Sequence, residues 1–106
     1  MSTYQLDAWT ALGDPTRRAI FELLVEHPRA VGELASELPI SRPAVSQHLR
    51  VLKNASLVAD RPVGTRRIYR VESTGLAALR ADLERFWTEA LANFKTVVEQ
   101  SAKEDE

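Results

Sequence analysis

Apolar residues recur at intervals of three and four along most of the chain, which is the spacing of one face of an α-helix. This pattern predicts helices over residues 4–12, 15–26, 31–37, 42–54 and 73–99. Between residues 57 and 71 the period changes toward two, which predicts two short strands, 57–63 and 66–71, joined around Gly64 and Thr65. The chain is therefore expected to be a single domain over 1–106, mostly α with a small β-hairpin, in the order α-α-α-α-β-β-α.

Cap residues and helix breakers support these boundaries. Asp14 can cap the second helix with Pro15 in its first turn, and Ser41 can cap the fourth. Ala30, at the cap of the third helix, offers no side-chain acceptor, which should cost about 1 kcal/mol relative to serine or threonine. "HPR" should end the second helix, and the final "SAKEDE" should be a frayed tail. The buried residues of the second helix are expected to be Ala19, Ile20, Leu23 and Leu24.

The third and fourth helices, with the short "LPI" turn between them, have the arrangement of a helix-turn-helix over residues 30–54. The hairpin, 57–71, follows as a wing that carries arginines at its tip. An α-helix fits into the major groove of double-stranded DNA, where its side chains reach base edges, while the preceding helix crosses the backbone. The order of elements therefore predicts a winged helix-turn-helix that binds DNA.

The distribution of charge supports a nucleic-acid partner, although the formal net charge is only −1. Residues 1–40 carry −3 and residues 71–106 carry −4, whereas residues 41–70 carry +6 from seven basic side chains and Asp60. A local excess of this size is the electrostatic footprint of DNA binding. A scattered, solvated set of charges is the alternative, and only the three-dimensional arrangement separates the two.

The fourth helix, "SRPAVSQHLRVLK", turns Val45, Leu49 and Leu52 inward and leaves a polar and basic side outward. On that side Gln47 can pair with adenine and Arg50 with guanine. The start of the helix can face a phosphate, because a helix N-terminus favours anions. The expected DNA contacts are Ser41, Arg42, Pro43, Ser46, Gln47, His48, Arg50 and Lys53 in the helix, and Arg61, Thr65, Arg66 and Arg67 in the wing.

An apolar stripe on the last helix indicates a second use of the fold. The stripe steps by three and four from Leu76 to Val97 and is longer than packing within one small domain requires. A partner helix is favoured over intramolecular packing alone, so the last helix, 73–99, is expected to form a homodimer. Its predicted interface residues are Leu83, Phe86, Trp87, Ala90, Phe94 and Val97.

Three blocks, "ALGDPTRRAIFELL", "VGELASELPISRPAVSQHLRVLKNASLV" and "RRIYRV", resemble the ArsR family of bacterial winged-helix repressors over nearly the whole chain. The resemblance implies a homodimer that is built from the first and last helices, with Leu6 and Trp9 of helix 4–12 in its interface, and that binds an inverted-repeat operator and represses transcription, often of its own operon. It also implies that "SRPAVSQHLR" is the recognition helix. The last helix and the wing look most like the autorepressor-like branch, whose members have no known metal.

The chain departs from the metal-sensing members of that family. Those members place a Cys-x-Cys pair in the third helix, where this chain has "VGELAS" and no cysteine at all. Others use Asp and His ligands on the last helix, which here has no histidine. Only His27 and His48 occur, neither with a second ligand at metal spacing. No metal site and no cofactor are expected.

Other functions stay open at this stage. Trp9, Phe86, Trp87 and Phe94 could line a small-molecule pocket between the first and last helices at the dimer interface, although a dimer core is the simpler interpretation. A winged helix could also hold protein partners without binding DNA. An enzyme is the weakest interpretation, because the chain has no cysteine, no paired histidine and carboxylate at a catalytic spacing, and no glycine-rich phosphate loop. Without a membrane-length apolar run or a leader, a cytoplasmic location is expected.

Overall fold

The computed structural model describes residues 7–104, which form five α-helices and one three-stranded antiparallel sheet. The helices are α1 (Ala8–Leu12), α2 (Pro15–Glu26), α3 (Val31–Glu37), α4 (Arg42–Asn54) and α5 (Ser73–Glu104). The strands are β1 (Arg29–Ala30), β2 (Val58–Val63) and β3 (Arg66–Val71), in the spatial order β1-β3-β2. The expectation of a mostly helical chain with a wing hairpin is confirmed.

Side-chain caps start the helices where the sequence indicated. Asp14 accepts hydrogen bonds from two amides in the first turn of α2 at 2.9 and 3.0 Å, and Ser41 accepts one from α4 at 3.3 Å. Glu72 does the same for α5 at 3.2 Å. Ala30 provides no side-chain cap for α3, but Glu33 Oε1 accepts the backbone N–H of Ala30 at 3.1 Å. The weak start of α3 is therefore held by a residue within that helix.

Both ends of the chain differ from the prediction. Asp7, expected inside the first helix, is extended and caps α1, which therefore begins at Ala8. Leu6, which was predicted to lie in the dimer interface, falls outside the described residues. At the other end α5 continues to Glu104, so residues 101–104 are helical rather than frayed.

The buried face of α2 also differs from the prediction. Ile20 and Leu24 are buried as expected, but Ala19 and Leu23 are only half-buried and Phe21 is buried instead. The physical reason is that α2 contacts α1, α4 and β3 together, so its buried arc is set by three neighbours rather than by one face of regular spacing.

The sequence analysis missed strand β1. Its two residues pair with β3, with Arg29 opposite Tyr69 and Ala30 opposite Ile68. A strand of this length has no alternating pattern, so only its partner in the tertiary structure defines it. The predicted β2–β3 hairpin is confirmed, and Gly64 in its turn has a φ of +62°, a value that glycine adopts without steric cost.

The core lies where the four N-terminal helices meet the inner ends of β2 and β3 and the first turns of α5. α4 places Val45, Leu49 and Leu52 there with no exposed surface, as predicted. Each such side chain stabilises the fold by roughly 1.5–3 kcal/mol. Other fully buried side chains are Ile20, Leu34, Leu57 and Val58. Although α5 has 32 residues, neither it nor another helix within residues 7–104 is apolar enough to cross a bilayer.

The start of α5 presses closely on the turn that follows α4. The N–H of Gly75 donates to the carbonyl oxygen of Ser56 at 2.8 Å. A Cβ atom at position 75 would lie 2.7 Å from that oxygen and 2.8 Å from the carbonyl oxygen of Ala55, closer than Cβ atoms approach backbone. Only glycine fits this contact, which fixes the angle at which α5 leaves the core.

The sign of the stability change in Gly75→Ala tests this contact. Helix propensity alone would stabilise the protein by about 1 kcal/mol, whereas the clash with two backbone oxygens predicts a loss of roughly 1–3 kcal/mol. Urea unfolding monitored by circular dichroism measures the difference. Ala77→Gly, on the exposed side of the same helix, is the control and should cost only about 1 kcal/mol. A stabilised Gly75→Ala protein would contradict the close packing described here.

Candidate nucleic-acid interface

α4 presents one continuous exposed side. Because its apolar stripe is locked in the core, Ser46, Gln47 and Arg50 are exposed together. At 100° per residue, these three side chains span about 100° of the helix surface. Ser41, Arg42 and Pro43, at the start of α4, are exposed as well. The helix therefore offers polar and cationic groups to a partner along one face, as the sequence indicated.

His48 does not belong to that face. It lies two residues before Arg50, about 200° away around the helix, and it is half-buried. His48 lies near Asp14, at the start of α2. The hydrogen bond from the Arg17 amide is the main cause that lowers the pKa of the Asp14 carboxyl, and His48 contributes in the same direction. The sequence analysis grouped His48 with its neighbours because they are adjacent in sequence, but helical geometry turns it away from them.

Two carboxylates engage three of the cations predicted to contact DNA. Asp60 on β2 pairs with Lys53 Nζ and with Arg67 Nη1, each at 2.8 Å. Glu33, on α3, pairs with Arg66 at the wing tip. The sequence shows the excess of positive charge but not these pairs, because Glu33 lies outside the basic segment. Part of the +6 is therefore neutralised within the protein.

Asp60 is the better enclosed of the two carboxylates, since its side chain is only 6% exposed. The hydrogen bond from Lys53 is the largest cause that lowers the pKa of Asp60 below its ordinary value, and the hydrogen bond from Arg67 acts in the same direction. Burial opposes them by raising the pKa, without cancelling them. Asp60 is thus charged throughout the neutral range and ties the last turn of α4 to both wing strands.

The remaining four cations of residues 41–70 make no ion pair with any other part of the chain that the structure describes. They are Arg42, Arg50, Arg61 and Arg70, and all four are exposed. Thr65, in the wing turn, is exposed beside them. These arginines are the charges most available to an anionic partner.

Two clefts open between α4 and its neighbours. The larger, about 390 Å³, lies between the start of α3, the start of α4 and the wing turn, and its lining includes Arg42, Arg66 and Arg67. The smaller, about 190 Å³, lies between α4 and β3, and its lining includes Arg50 and Tyr69. Guanidinium groups around such clefts suit phosphate oxygens, which accept their parallel N–H donors. The geometry therefore fits a polyanion that runs across α4 and the wing.

Arg29 is a structural residue that the sequence analysis missed. It is 4% exposed, and its guanidinium contacts Glu37 at 2.6 Å and Glu26 at 3.5 Å. Its Nε has no hydrogen-bond partner within residues 7–104. These contacts join the end of α2 to the end of α3 and so hold the helix that precedes α4. Acids at both positions were visible in the sequence, but the burial of Arg29 was not.

A second surface lies between α1 and α5. Trp9 Nε1 donates to Asp82 at 2.8 Å, and the ring of Trp9 lies 6.2 Å from that of Phe86. The guanidinium of Arg85 lies 5.0 Å above the ring of Phe86, within the range of a cation–π interaction. The two contacts of Trp9 fix how α1 crosses α5, whereas the contact of Arg85 with Phe86 lies within α5.

An apolar groove of about 630 Å³ adjoins that crossing. Trp9, Phe21, Val25 and Leu79 contribute to its lining, with Leu12, Gly13, Arg18 and Glu22. Of the four aromatic residues proposed for a small-molecule pocket, only Trp9 lines it. Trp87 and Phe94 are each 67% exposed on α5 instead. A pocket that these four residues could line at the dimer interface stays a hypothesis, because it would need a second chain.

Metal ligands are not gathered at either surface. Within residues 7–104, no three histidine, aspartate or glutamate side chains lie close enough together to hold a metal ion. His27 Nδ1 lies 3.0 Å from the carbonyl oxygen of Pro28 at the end of α2.

Comparisons with known proteins agree with this geometry. The family model described as "Bacterial regulatory protein, arsR family" matches residues 14–60. The HTH-type transcriptional regulator Rv2034 of Mycobacterium tuberculosis (strain ATCC 25618 / H37Rv) is 62% identical over 101 residues, which cover 93% of this chain and 94% of the relative. The transcriptional repressor SdpR of Bacillus subtilis (strain 168) is 36% identical over 70 residues, covering 66% of this chain and 78% of the relative.

A solved structure shares the fold as well. The crystal structure of a possible transcriptional regulator for arsenical resistance superimposes with a TM-score of 0.71 and 42% sequence identity. The match covers 83% of this chain and 96% of the solved chain.

The ion pairs of Asp60 predict a pH dependence of stability. Because the folded pKa lies below the ordinary value of 3.8, the contribution of Asp60 to stability is fully present above about pH 5. It is lost as the pH falls through 3.8 toward the folded pKa. The difference in unfolding free energy between the natural protein and Asp60→Asn should therefore be largest at neutral pH and shrink below pH 4. Urea titrations at several pH values measure it.

Glu84→Gln is the matched control for that experiment. Glu84 pairs with Arg80 on the exposed surface of α5, where an ion pair contributes little to stability. A difference for Asp60→Asn that grows on acidification would contradict the pairing.

Proposed function

We propose that this chain, a DNA-binding transcriptional regulator that belongs to the arsR family of bacterial regulatory proteins, works as a homodimeric repressor. It would bind an inverted-repeat operator, often that of its own operon in repressors of this kind. The observation that carries this proposal is the exposed side of α4 beside the arginines of the wing. Its proposed place of action is the bacterial cytoplasm, where the DNA lies.

We propose that α4 enters the major groove and reads base edges. Gln47 would pair with adenine and Arg50 with guanine, and the exposure of both side chains on one face supports this assignment. Ser46 beside them can bond a base or a phosphate. His48 is half-buried away from that face and is not included among the base contacts.

Phosphate contacts flank the base contacts in this proposal. Ser41, Arg42 and Pro43 at the start of α4 would lie against one strand of DNA, where the amides of a helix N-terminus favour anions. Arg61 and Thr65 on the wing would meet the phosphates or the minor groove beyond. Three further cations of the predicted set are already in ion pairs with Asp60 or Glu33 in the single chain: Lys53, Arg66 and Arg67.

We propose that a second copy of the chain covers the apolar surface of α1 and α5. Apart from the buried Leu79, the large apolar side chains on α5 are between 37% and 67% exposed in the single chain, which is an unusually large exposed apolar surface for one small domain. The distal half of α5, around Phe94 and Val97, would pack against the second copy, next to the apolar groove of that copy. The proposed interface also includes Trp9, Leu83, Phe86, Trp87 and Ala90.

Substitutions in α4 and the wing should have different effects on binding. Selection of bound duplexes from random sequence would first define the operator, with half-sites about 34 Å apart. Arg50→Ala and Gln47→Ala should each cost roughly 1–3 kcal/mol and relax the preference at one base pair per half-site. Arg61→Ala should weaken binding to all sequences alike and lower the salt slope by about 1. Unchanged base preference in Arg50→Ala would show that another face of the protein reads the DNA.

Phe94→Asp should convert the dimer to monomers, because a charge would be placed in an apolar contact. Ala92→Asp is the matched control: two residues away it lies about 200° around α5, and it is exposed. Sedimentation equilibrium measures the assembly state, and tryptophan emission reports the environment of Trp9 and Trp87. On dissociation the emission should shift to the red. Equal behaviour of the two variants, or a monomeric natural protein, would contradict the proposed interface.

A further inference from the structure

The single acidic residue of the basic segment occupies an unusual position. Asp60 is the only carboxylate among residues 41–70, and its side chain is almost fully enclosed between two cations. One of these cations, Lys53, belongs to the last turn of α4, and the other, Arg67, belongs to β3. Both distances are 2.8 Å, so each is a direct, charge-assisted hydrogen bond.

We propose that Asp60 determines the DNA specificity of the protein by withholding these two cations from phosphates. This inference rests on the proposed use of α4 and the wing in DNA binding. Non-specific binding is driven by the number of phosphates that cations neutralise, with a slope of about 0.9 per phosphate in log affinity against log salt. A cation that is paired with Asp60 must first break that ion pair before it can neutralise a phosphate. Asp60 therefore lowers the affinity for a duplex to which the protein makes only phosphate contacts.

Base readout is not weakened in the same way. Gln47 and Arg50 are exposed on the outer face of α4, and Arg50 makes no ion pair within residues 7–104. Asp60 also joins α4 to the wing, because it contacts both through side chains. It thus keeps the two DNA-facing elements in one orientation while it suppresses sequence-independent attraction. The ratio of operator affinity to non-specific affinity should rise as a result.

Asp60→Asn tests this role while it preserves the shape of the side chain. With a random-sequence duplex, the salt slope should become steeper by about 1 to 2, from one or two released cations. Affinity for that duplex at low salt should rise about tenfold, while affinity for the selected operator rises less. Glu84→Gln removes one negative charge and frees an arginine far along α5, and it should leave the slope unchanged. An unchanged slope in Asp60→Asn, or equal gains on both duplexes, would overturn the proposal.

Charge removal in the natural protein gives a second, independent measurement. Lys53→Gln and Arg67→Gln should each change the salt slope by less than about 0.3, whereas Arg61→Gln should lower it by about 0.9. In the Asp60→Asn background, Lys53→Gln should cancel part of the gain. Full losses of about 0.9 for Lys53→Gln and Arg67→Gln would show that Asp60 does not restrain these cations. These variants decide the question even if Asp60→Asn does not fold.

The outcomes separate this inference from the proposed function. If the natural protein does not bind DNA at low salt, the proposed function fails. If it binds a defined operator but Asp60→Asn and the glutamine variants show the patterns that overturn the proposal, only the role of Asp60 is refuted.

Discussion

The burial of one apolar stripe on α4 is the constraint on which the other features depend. Val45, Leu49 and Leu52 have no exposed surface, so the helix cannot rotate without exposing them. That lock turns Gln47 and Arg50 to solvent together, without any contribution from those two residues to the core. The proposed recognition surface is therefore positioned by packing on the opposite side of the same helix, and the side chains on its outer face have no part in that packing.

Charge is distributed by a second set of constraints. Arg29 is buried between the ends of α2 and α3, where it acts as a structural cation rather than as a partner for DNA. Asp60 and Glu33 form ion pairs with cations of α4 and the wing. The positive charge that DNA would meet is thus smaller than the formal +6 of residues 41–70. The positions of Asp60 and Glu33 determine which cations of this segment are already paired.

The apolar surface of α5 links the size of the chain to its proposed assembly. The first turns of the helix are anchored by Gly75 and Leu79, which are buried, whereas beyond them the apolar stripe is largely exposed. A domain of about 100 residues has little spare surface to cover a helix of this length. The contacts of Trp9 with Asp82 and Phe86 hold α1 against α5, and the proposed second copy would cover both helices.

The sequence by itself determined the order of the helices and of the hairpin strands, the caps of α2 and α4 and the inward face of α4, because helical period, cap chemistry and turn residues are local properties. It also located the basic segment and the family. The tertiary structure alone decided the strand β1, the burial of Arg29 and the pairing of Asp60 with Lys53 and Arg67. It turned His48 away from its neighbours. Each of these depends on residues brought together from distant parts of the chain, or on which side of a helix the core occupies, and no local pattern encodes that.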